Sequence, residues 1–285
     1  MSFFSDSATR SEAGLAVGMT VFSDANDRTL GFGPYPTVDV PMRFVDLAQA
    51  ALLTARIRHT DPAYETPMAA AVAGQYPHLE AFAPTAPLLD GGKRVLVLMT
   101  DGVPYPNAQE QRPAVIAAAH AEHEKDVATF VVGIGSANPY DPSVYDPRFL
   151  AQVAMNGGAA NVDCDPDELM DERRMCHLQI SPMDKTIEDL EAAFYNAING
   201  VRSAVASCEL TLEATGDIDP ARVNVVYVDP GGRETLIPED ATNGWTWADS
   251  RHPQTIDLHG RACQALKADP DGSVRVVVGC RSVLK

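Results

Sequence analysis

Asp101 is the residue whose chemistry is easiest to argue from type and position. It closes the stretch Lys93-Arg-Val-Leu-Val-Leu-Met-Thr-Asp-Gly102, an apolar run ending in an acidic turn. Strands buried on both faces of a sheet lose the alternation of one-sided strands, so the run reads as a central parallel strand. Its carboxyl end is where open α/β sheets place their ligands, and a carboxylate there suits metal-assisted binding. Thr66-Pro67 is a second such position. A threonine before proline reads first as a helix N-cap with proline at the first helical position, and otherwise as a hydroxyl ligand.

Other chemistry-bearing residues fit their motifs less well. Gly133-x-Gly135 follows a strand but lacks the third glycine of a dinucleotide fingerprint, and Asn138-Pro139 stands where a helix should start. His120 and His123 are spaced i, i+3 rather than the i, i+4 of a zinc-protease helix, and read as solvated side chains. Asp24, Asn26 and Asp27 lie in a turn-rich segment with Gly31 and Gly33 but lack the full EF-hand ligand series. Between Cys164 and Cys176 lie Asp165, Asp167, Glu168, Asp171 and Glu172, which read as a solvated, disulfide-closed insertion before a calcium loop. There is no G-x-S-x-G elbow, no P-loop and no convincing His/Cys pair, so an enzyme is not expected.

The elements that must position these residues alternate. A strand is predicted over residues 15–23, an amphipathic helix over 43–58, and an alanine-rich helix from Thr66-Pro67 to about Phe82. The opening strand follows, then a helix from about Gln111 to Lys125 and a strand from Val127 to Ile134. A short helix from Pro147 to Asn156 stops at Gly157-Gly158, and a long helix runs from Asp184 to Val205. Alternation of this kind predicts right-handed βαβ units and an α/β, Rossmann-like, mostly parallel sheet flanked by helices. After residue 205 short runs at Glu209–Glu213, Val223–Val228 and Val274–Val278 indicate a small β-rich module, with Trp245 and Trp247 at strand spacing as packing residues. The expected domains are therefore 1–205 and 206–285.

Composition narrows the function classes. With 285 residues the chain can bury a sizeable core, and a net charge of −17 argues against a nucleic-acid partner. No run of about 18 apolar residues occurs, so no membrane span is expected. The five cysteines, Cys164, Cys176, Cys208, Cys263 and Cys280, include no C-x-x-C pair. Zinc is thus not expected; they read as mainly disulfide-forming, with one left over, in an exported protein whose leader is not in this sequence.

Taken in order, these features resemble the von Willebrand factor type A domain. The resemblance rests on Val17-Gly-Met-Thr-Val-Phe-Ser-Asp24, Glu65-Thr66-Pro67, Val95-Leu-Val-Leu-Met-Thr-Asp-Gly102, Phe130-Val-Val-Gly-Ile-Gly135 and Phe149-Leu-Ala-Gln-Val-Ala-x-x-Gly-Gly158. It covers about residues 3–205. The tail, with Gly244-Trp, Ile256-x-Leu-x-Gly and Val278-Gly-Cys280, looks more loosely like bacterial cell-surface members. The family holds magnesium or another divalent ion at the carboxyl edge of its sheet, in a metal-ion-dependent adhesion site. An Asp-x-Ser-x-Ser loop, a threonine and an aspartate form it, and a partner's carboxylate completes the coordination. The resemblance implies Thr66 as the hydroxyl and Asp101 as the carboxylate of that site, and a protein ligand bound through an acidic side chain.

The Asp-x-Ser-x-Ser loop is missing. Asp6 is followed by Ala8 and Arg10 where serines would stand, and Met1-Ser-Phe-Phe-Ser-Asp6 looks like the last turn of the family's first helix. The resemblance therefore implies a domain that lacks its first central strand. The strands at 16–22 and 94–100 would then either pair directly or leave a gap, with two apolar edges exposed. Magnesium takes near-octahedral oxygen coordination at roughly 2.0–2.1 Å, so a hydroxyl and one carboxylate predict weak or absent metal binding. The expected function is non-enzymatic adhesion or protein–protein contact in the bacterial envelope. The alternatives are a cytoplasmic docking subunit of a metal-chelatase or ATPase-type complex, and a hydrolase on a Rossmann-like sheet. Disulfide connectivity stays open, with Cys164–Cys176 preferred and Cys280 paired with Cys263 or Cys208.

Overall fold

A computed structural model of the chain describes residues 15–22, 38–61, 65–85, 88, 92–135, 145–161, 163–182, 185–205, 208–212, 219–229, 231–250, 253–268 and 273–278. Two units divide it, Met1–Ala197 and Ile198–Lys285, the division falling inside the long helix. The first unit carries β1 (Ala16–Met19), β2 (Val40–Phe44), α1 (Leu47–Arg58), α2 (Met68–Glu80), β3 (Arg94–Thr100), α3 (Ala108–His123), β4 (Val127–Ile134), α4 (Pro147–Asn156) and β5 (Leu178–Ile180). The helix α5 (Ile187–Val205) runs across the division.

The apolar run ending at Asp101 forms β3 and lies parallel to β4, in register from Arg94 opposite Val127 to Thr100 opposite Gly133. A third strand, β5, adds in parallel to the far side of β4, giving the order β3-β4-β5. Both faces of this sheet are apolar, which is why neither long strand alternates. Leu96 and Leu98 of β3 and Val127 and Val131 of β4 pack with Met68, Val72 and Leu79 of α2, Val115 and Ala119 of α3, and Phe149, Leu150 and Val153 of α4. On the opposite face Val97, Met99 and Val132 meet Leu190, Ala193 and Phe194 of α5. One buried polar pair ties the first face together, the Tyr76 hydroxyl lying 2.7 Å from that of Thr129. Burial raises the Tyr76 phenol to a pKa of about 12.

Two differences from the sequence expectation stand out. The helix expected from Arg43 begins only at Leu47, because Val40-Pro-Met-Arg-Phe44 alternates in burial and pairs antiparallel with β1. Asp46 then caps α1, its carboxylate accepting from the Gln49 N–H at 2.8 Å. The strands β1 and β3, the two whose direct pairing was in question, belong to separate sheets. The first unit is thus mixed α/β, a three-stranded parallel sheet flanked by helices beside an antiparallel strand pair.

The second unit holds β6 (Glu209–Thr211), a 3-10 turn at Pro220–Arg222, β7 (Val223–Val228), β8 (Glu234–Ile237), β9 (Trp245–Trp247), β10 (Thr255–Leu258), α6 (Gly260–Ala268) and β11 (Ser273–Val278). Its strands form two antiparallel sheets, β6-β10-β9 and β11-β7-β8. Val223 and Val225 of β7, Ile237, Trp245, Ile256 and Leu258 make its core, with Ala262 of α6. Trp247 packs edge-on to Trp245 with ring centroids 5.6 Å apart. Both tryptophans are packing residues, as their strand spacing suggested.

The disulfides need one correction. Cys164 joins Cys176 as expected, but Cys208 joins Cys263 rather than either pairing with Cys280, which lies outside the described residues. Strand pairing is the cause. Cys208 accepts from the Leu258 N–H at 2.7 Å, and the chain then turns through Gly260, at φ +49°, into α6, which carries Cys263 in its first turn. A side chain at Gly260 would run into the Thr242 carbonyl, so the turn depends on glycine.

Trp245 is 1% exposed, so Trp245→Ala is expected to cost about 3–5 kcal/mol of unfolding free energy. Urea denaturation followed by circular dichroism reads this directly, and a loss under about 1 kcal/mol would show that this ring is not a core member.

Candidate functional site

At the carboxyl edge of the parallel sheet, the turn after β3 builds the first part of the site. Thr100 is buried; its Oγ1 donates to the Gly102 carbonyl at 3.1 Å and accepts from the Gly102 N–H at 3.3 Å. Asp101, within this closed turn, is exposed. Beyond buried Pro104 the chain reaches Tyr105, which is 58% exposed and exchanges two backbone hydrogen bonds with Thr66, at 2.8 and 3.0 Å. Thr66 and Asp101 are in this way held on neighbouring loops at the same end of the sheet.

Thr66 does not cap α2. The N-cap position belongs to Pro67, and no side chain caps that helix end in the usual i to i+3 manner. Gln111 of α3 supplies the acceptor instead, its Oε1 taking the Ala69 N–H at 3.1 Å while its Nε2 donates to the Pro106 carbonyl at 2.5 Å. A neutral amide from another helix thus satisfies an orphan helix donor and leaves the half-buried Thr66 hydroxyl out of the cap.

The second part of the edge is a buried polar cluster after β4. The Tyr145 hydroxyl donates to Gln179 Oε1 at 2.5 Å, and His177 Nε2 lies 2.9 Å from the same oxygen. Gln179 Nε2 in turn donates to the Gly135 carbonyl, which fixes the orientation of the amide. Since Oε1 can only accept, the His177 proton sits on Nε2 and the lone pair on Nδ1. That Nδ1 atom is buried and finds no hydrogen-bond partner among the described residues. Burial pushes the His177 pKa below its ordinary value, against a smaller opposing effect of the Gln179 hydrogen bond. The Tyr145 pKa is raised, again chiefly by burial.

The pair Gly133-x-Gly135 has its explanation here. A Cβ on Gly133 would strike the Tyr145 hydroxyl, and one on Gly135 would come within 2.7 Å of the Tyr145 ring. The two glycines make room for a tyrosine seated on the strand end. Tyr145, His177 and Gln179 carry no sequence motif, and the unexplained glycines were the only signal that something must approach β4 closely.

No protein-family model matches the chain, and no curated protein does either.

The remaining candidates have structural roles. His120 and His123 are exposed on α3, the former 3.8 Å from Glu124. In the loop closed by Cys164–Cys176 the carboxylates serve its own backbone and arginines. Glu168 Oε1 accepts from the N–H groups of Leu169, Met170 and Asp171 at 2.9–3.1 Å, and Asp171 Oδ1 accepts from the Arg173 N–H at 3.1 Å. These backbone bonds hold the pKa values of Glu168 and Asp171 down. Arg174 reaches both Asp165 and Glu168, and Arg148 reaches Asp167. Asp24, Asn26, Asp27 and Asp6 lie outside the described residues. Among the described residues no group of three or more His, Cys, Asp or Glu side chains could hold a metal ion.

Because the native state keeps His177 neutral, its contribution to stability is complete above the ordinary value of 6.5 and is lost as pH falls from there toward the depressed native value. Unfolding free energy is expected to decline between pH 7 and pH 5 with a slope of up to about 1.4 kcal/mol per pH unit from this group. The His177→Gln variant should flatten that decline; an unchanged slope in urea titrations across the window would remove His177 as its source.

Proposed function

We propose that this chain is a non-enzymatic adhesion or protein–protein interaction module of the von Willebrand factor type A kind, with a degenerate metal-ion-dependent adhesion site. The observation that carries this reading is the backbone bridge between Thr66 and Tyr105, which ties the segment of Thr66 to the loop that follows Asp101 at the carboxyl end of β3. The order of β3, α3, β4 and α4 along the parallel sheet supports it, as does the exposure of Asp101 and Tyr105 on that edge.

The residues present fit magnesium or another divalent ion poorly. Thr66 and Asp101 by themselves offer one hydroxyl and one carboxylate toward a coordination shell of six oxygens. An acidic side chain of a protein ligand would need an ion between itself and Asp101, so contact at this edge rests mainly on the exposed protein surface. The two disulfides support an extracellular, periplasmic or cell-surface location, and no described helix is long and apolar enough to cross a membrane. They weigh against a cytoplasmic docking subunit of a chelatase or ATPase-type complex.

Calorimetric titration with magnesium chloride is expected to show no saturable binding in the micromolar range, and Asp101→Ala to change stability by no more than about 0.5 kcal/mol, as for an exposed site. Micromolar affinity abolished by Asp101→Ala would instead establish a working metal site. Thiol titration of the native protein tests the compartment: Cys164, Cys176, Cys208 and Cys263 are expected to be blocked, whereas five reactive thiols would favour the cytoplasmic reading.

A further inference from the structure

The strand β5 is short, and its hold on β4 is local. Leu178, Gln179 and Ile180 pair with Val132, Gly133 and Ile134, and the Gly135 N–H donates to the Ile180 carbonyl at 2.9 Å. Ile180 packs with Val132, and the Gln179 amide joins the Gly135 carbonyl to the Tyr145 hydroxyl. Upstream, the Asn161 N–H donates to the Cys176 carbonyl at 3.1 Å, and the Asp165 N–H to that of Arg174 at 2.8 Å. A strand pair of three residues is marginal without further ties.

The bond Cys164–Cys176 supplies one such tie, across 12 positions. Both cysteines lie between α4 and β5, in the segment that would open if β5 left β4, and neither belongs to β3, β4 or the helices that cover them. A crosslink inside an opening segment restricts its open state, just as it restricts the unfolded chain. It therefore guards this segment against local opening, which proteins undergo unit by unit. Cys208–Cys263 is differently placed, spanning 55 positions with both cysteines against the core of the second unit. Cys176 is buried and Cys164 is half-buried on the loop, so a reagent from solvent meets Cys164 Sγ first.

We propose that Cys164–Cys176 is a redox latch: a dithiol reductant, small or carried on a protein, opens it in the folded chain and frees β5 from β4. One thiolate of the dithiol attacks Cys164 Sγ, the S–S bond breaks, and Cys176 Sγ leaves as a thiolate that takes up a proton. The second thiol then attacks the reductant's own sulfur in the mixed disulfide. Cys164 leaves and is protonated, and the dithiol ends as a disulfide, having given two electrons to the cystine. With β5 free, Tyr145 loses both Gln179 and His177, so the end of β4 beside the Asp101 turn changes shape while the β3–β4 pair persists. The latch does not depend on an ion at Thr66 and Asp101 or on the adhesion reading.

The test uses the full chain carrying Cys280→Ser, which removes the fifth cysteine as an exchange partner. Dithiothreitol is added under native conditions, alkylation and mass spectrometry identify the opened cysteines, and amide hydrogen exchange by NMR reads the structure. Cys164 and Cys176 are expected to become alkylated. Exchange at Gly135 and Asn161 should then quicken by about a hundredfold, the scale of closure entropy for a loop this short, with Leu98 and Phe130 in the β3–β4 ladder unchanged. Reoxidation should restore the slow rates. The double variant Cys164→Ser/Cys176→Ser is expected to show the same fast exchange without reductant, which separates this bond from Cys208–Cys263. Unchanged exchange at Gly135 and Asn161 in the double variant, cysteines that react only once the chain is unfolded, or equal quickening at Leu98 and Phe130 would overturn the proposal.

Discussion

The parallel pairing of β3 with β4 is the constraint on which the rest of the first unit depends. Its register places Thr100 opposite Gly133, so the acidic turn at Asp101 and the glycine pair at the end of β4 must lie side by side. Because side chains on both faces of the pair are apolar, helices are required on both. α2, α3 and α4 cover one face and α5 the other. A polar substitution anywhere in the middle of either strand would meet one of these layers without a partner, which costs far more than a lost surface contact.

At the carboxyl edge, polarity is handled by neutral amides rather than by buried charge. Gln111 fastens the start of α2 to the loop after β3, and Gln179 fastens β5 to the end of β4. Neither carries a desolvation penalty comparable to that of a buried ion, and each uses both ends of its amide. Asp101 and Tyr105 are consequently left outside a rigid frame. A frame of that kind holds an exposed surface in one shape, which lowers the ordering cost of any contact made on it.

How much of this was legible in the sequence depended on whether a signal was local. The strands β3 and β4 and the helix α4 were readable because apolar runs and helix stops are set by neighbouring residues. Cys164–Cys176 was readable for the same reason, as a short closure around an acidic loop. The strand β2 was missed because Phe44 fits the helical spacing of the residues after it, and only pairing with β1 reveals its alternation. Thr66 was read as a cap because nothing local announces Gln111, which stands 42 positions beyond Ala69. The Tyr145–His177–Gln179 cluster joins side chains separated by up to 34 positions, and Cys208–Cys263 spans 55. Each is dictated by strand pairing, which spacing alone does not encode.

The acidic loop and the buried cluster, far apart in character, share one anchor. Cys176 is buried and precedes His177, so the disulfide that closes the loop also fixes the approach to β5. Asn161 reinforces that approach, its side-chain N–H groups donating to the carbonyls of Met175 at 2.7 Å and His177 at 3.3 Å. Closing a short loop restricts the unfolded chain by an amount worth about 3 kcal/mol in the chain-entropy account. Here the crosslink also acts in the native state. It holds a loop rich in carboxylates, of which Asp165, Asp167, Glu168 and Asp171 are engaged by arginines or backbone N–H groups, at the entrance to a strand whose second residue, Gln179, must meet both Gly135 and Tyr145. If the loop shifted, the amide would lose both partners together. The cystine is therefore as much a part of the sheet edge as the glycines that make room for Tyr145.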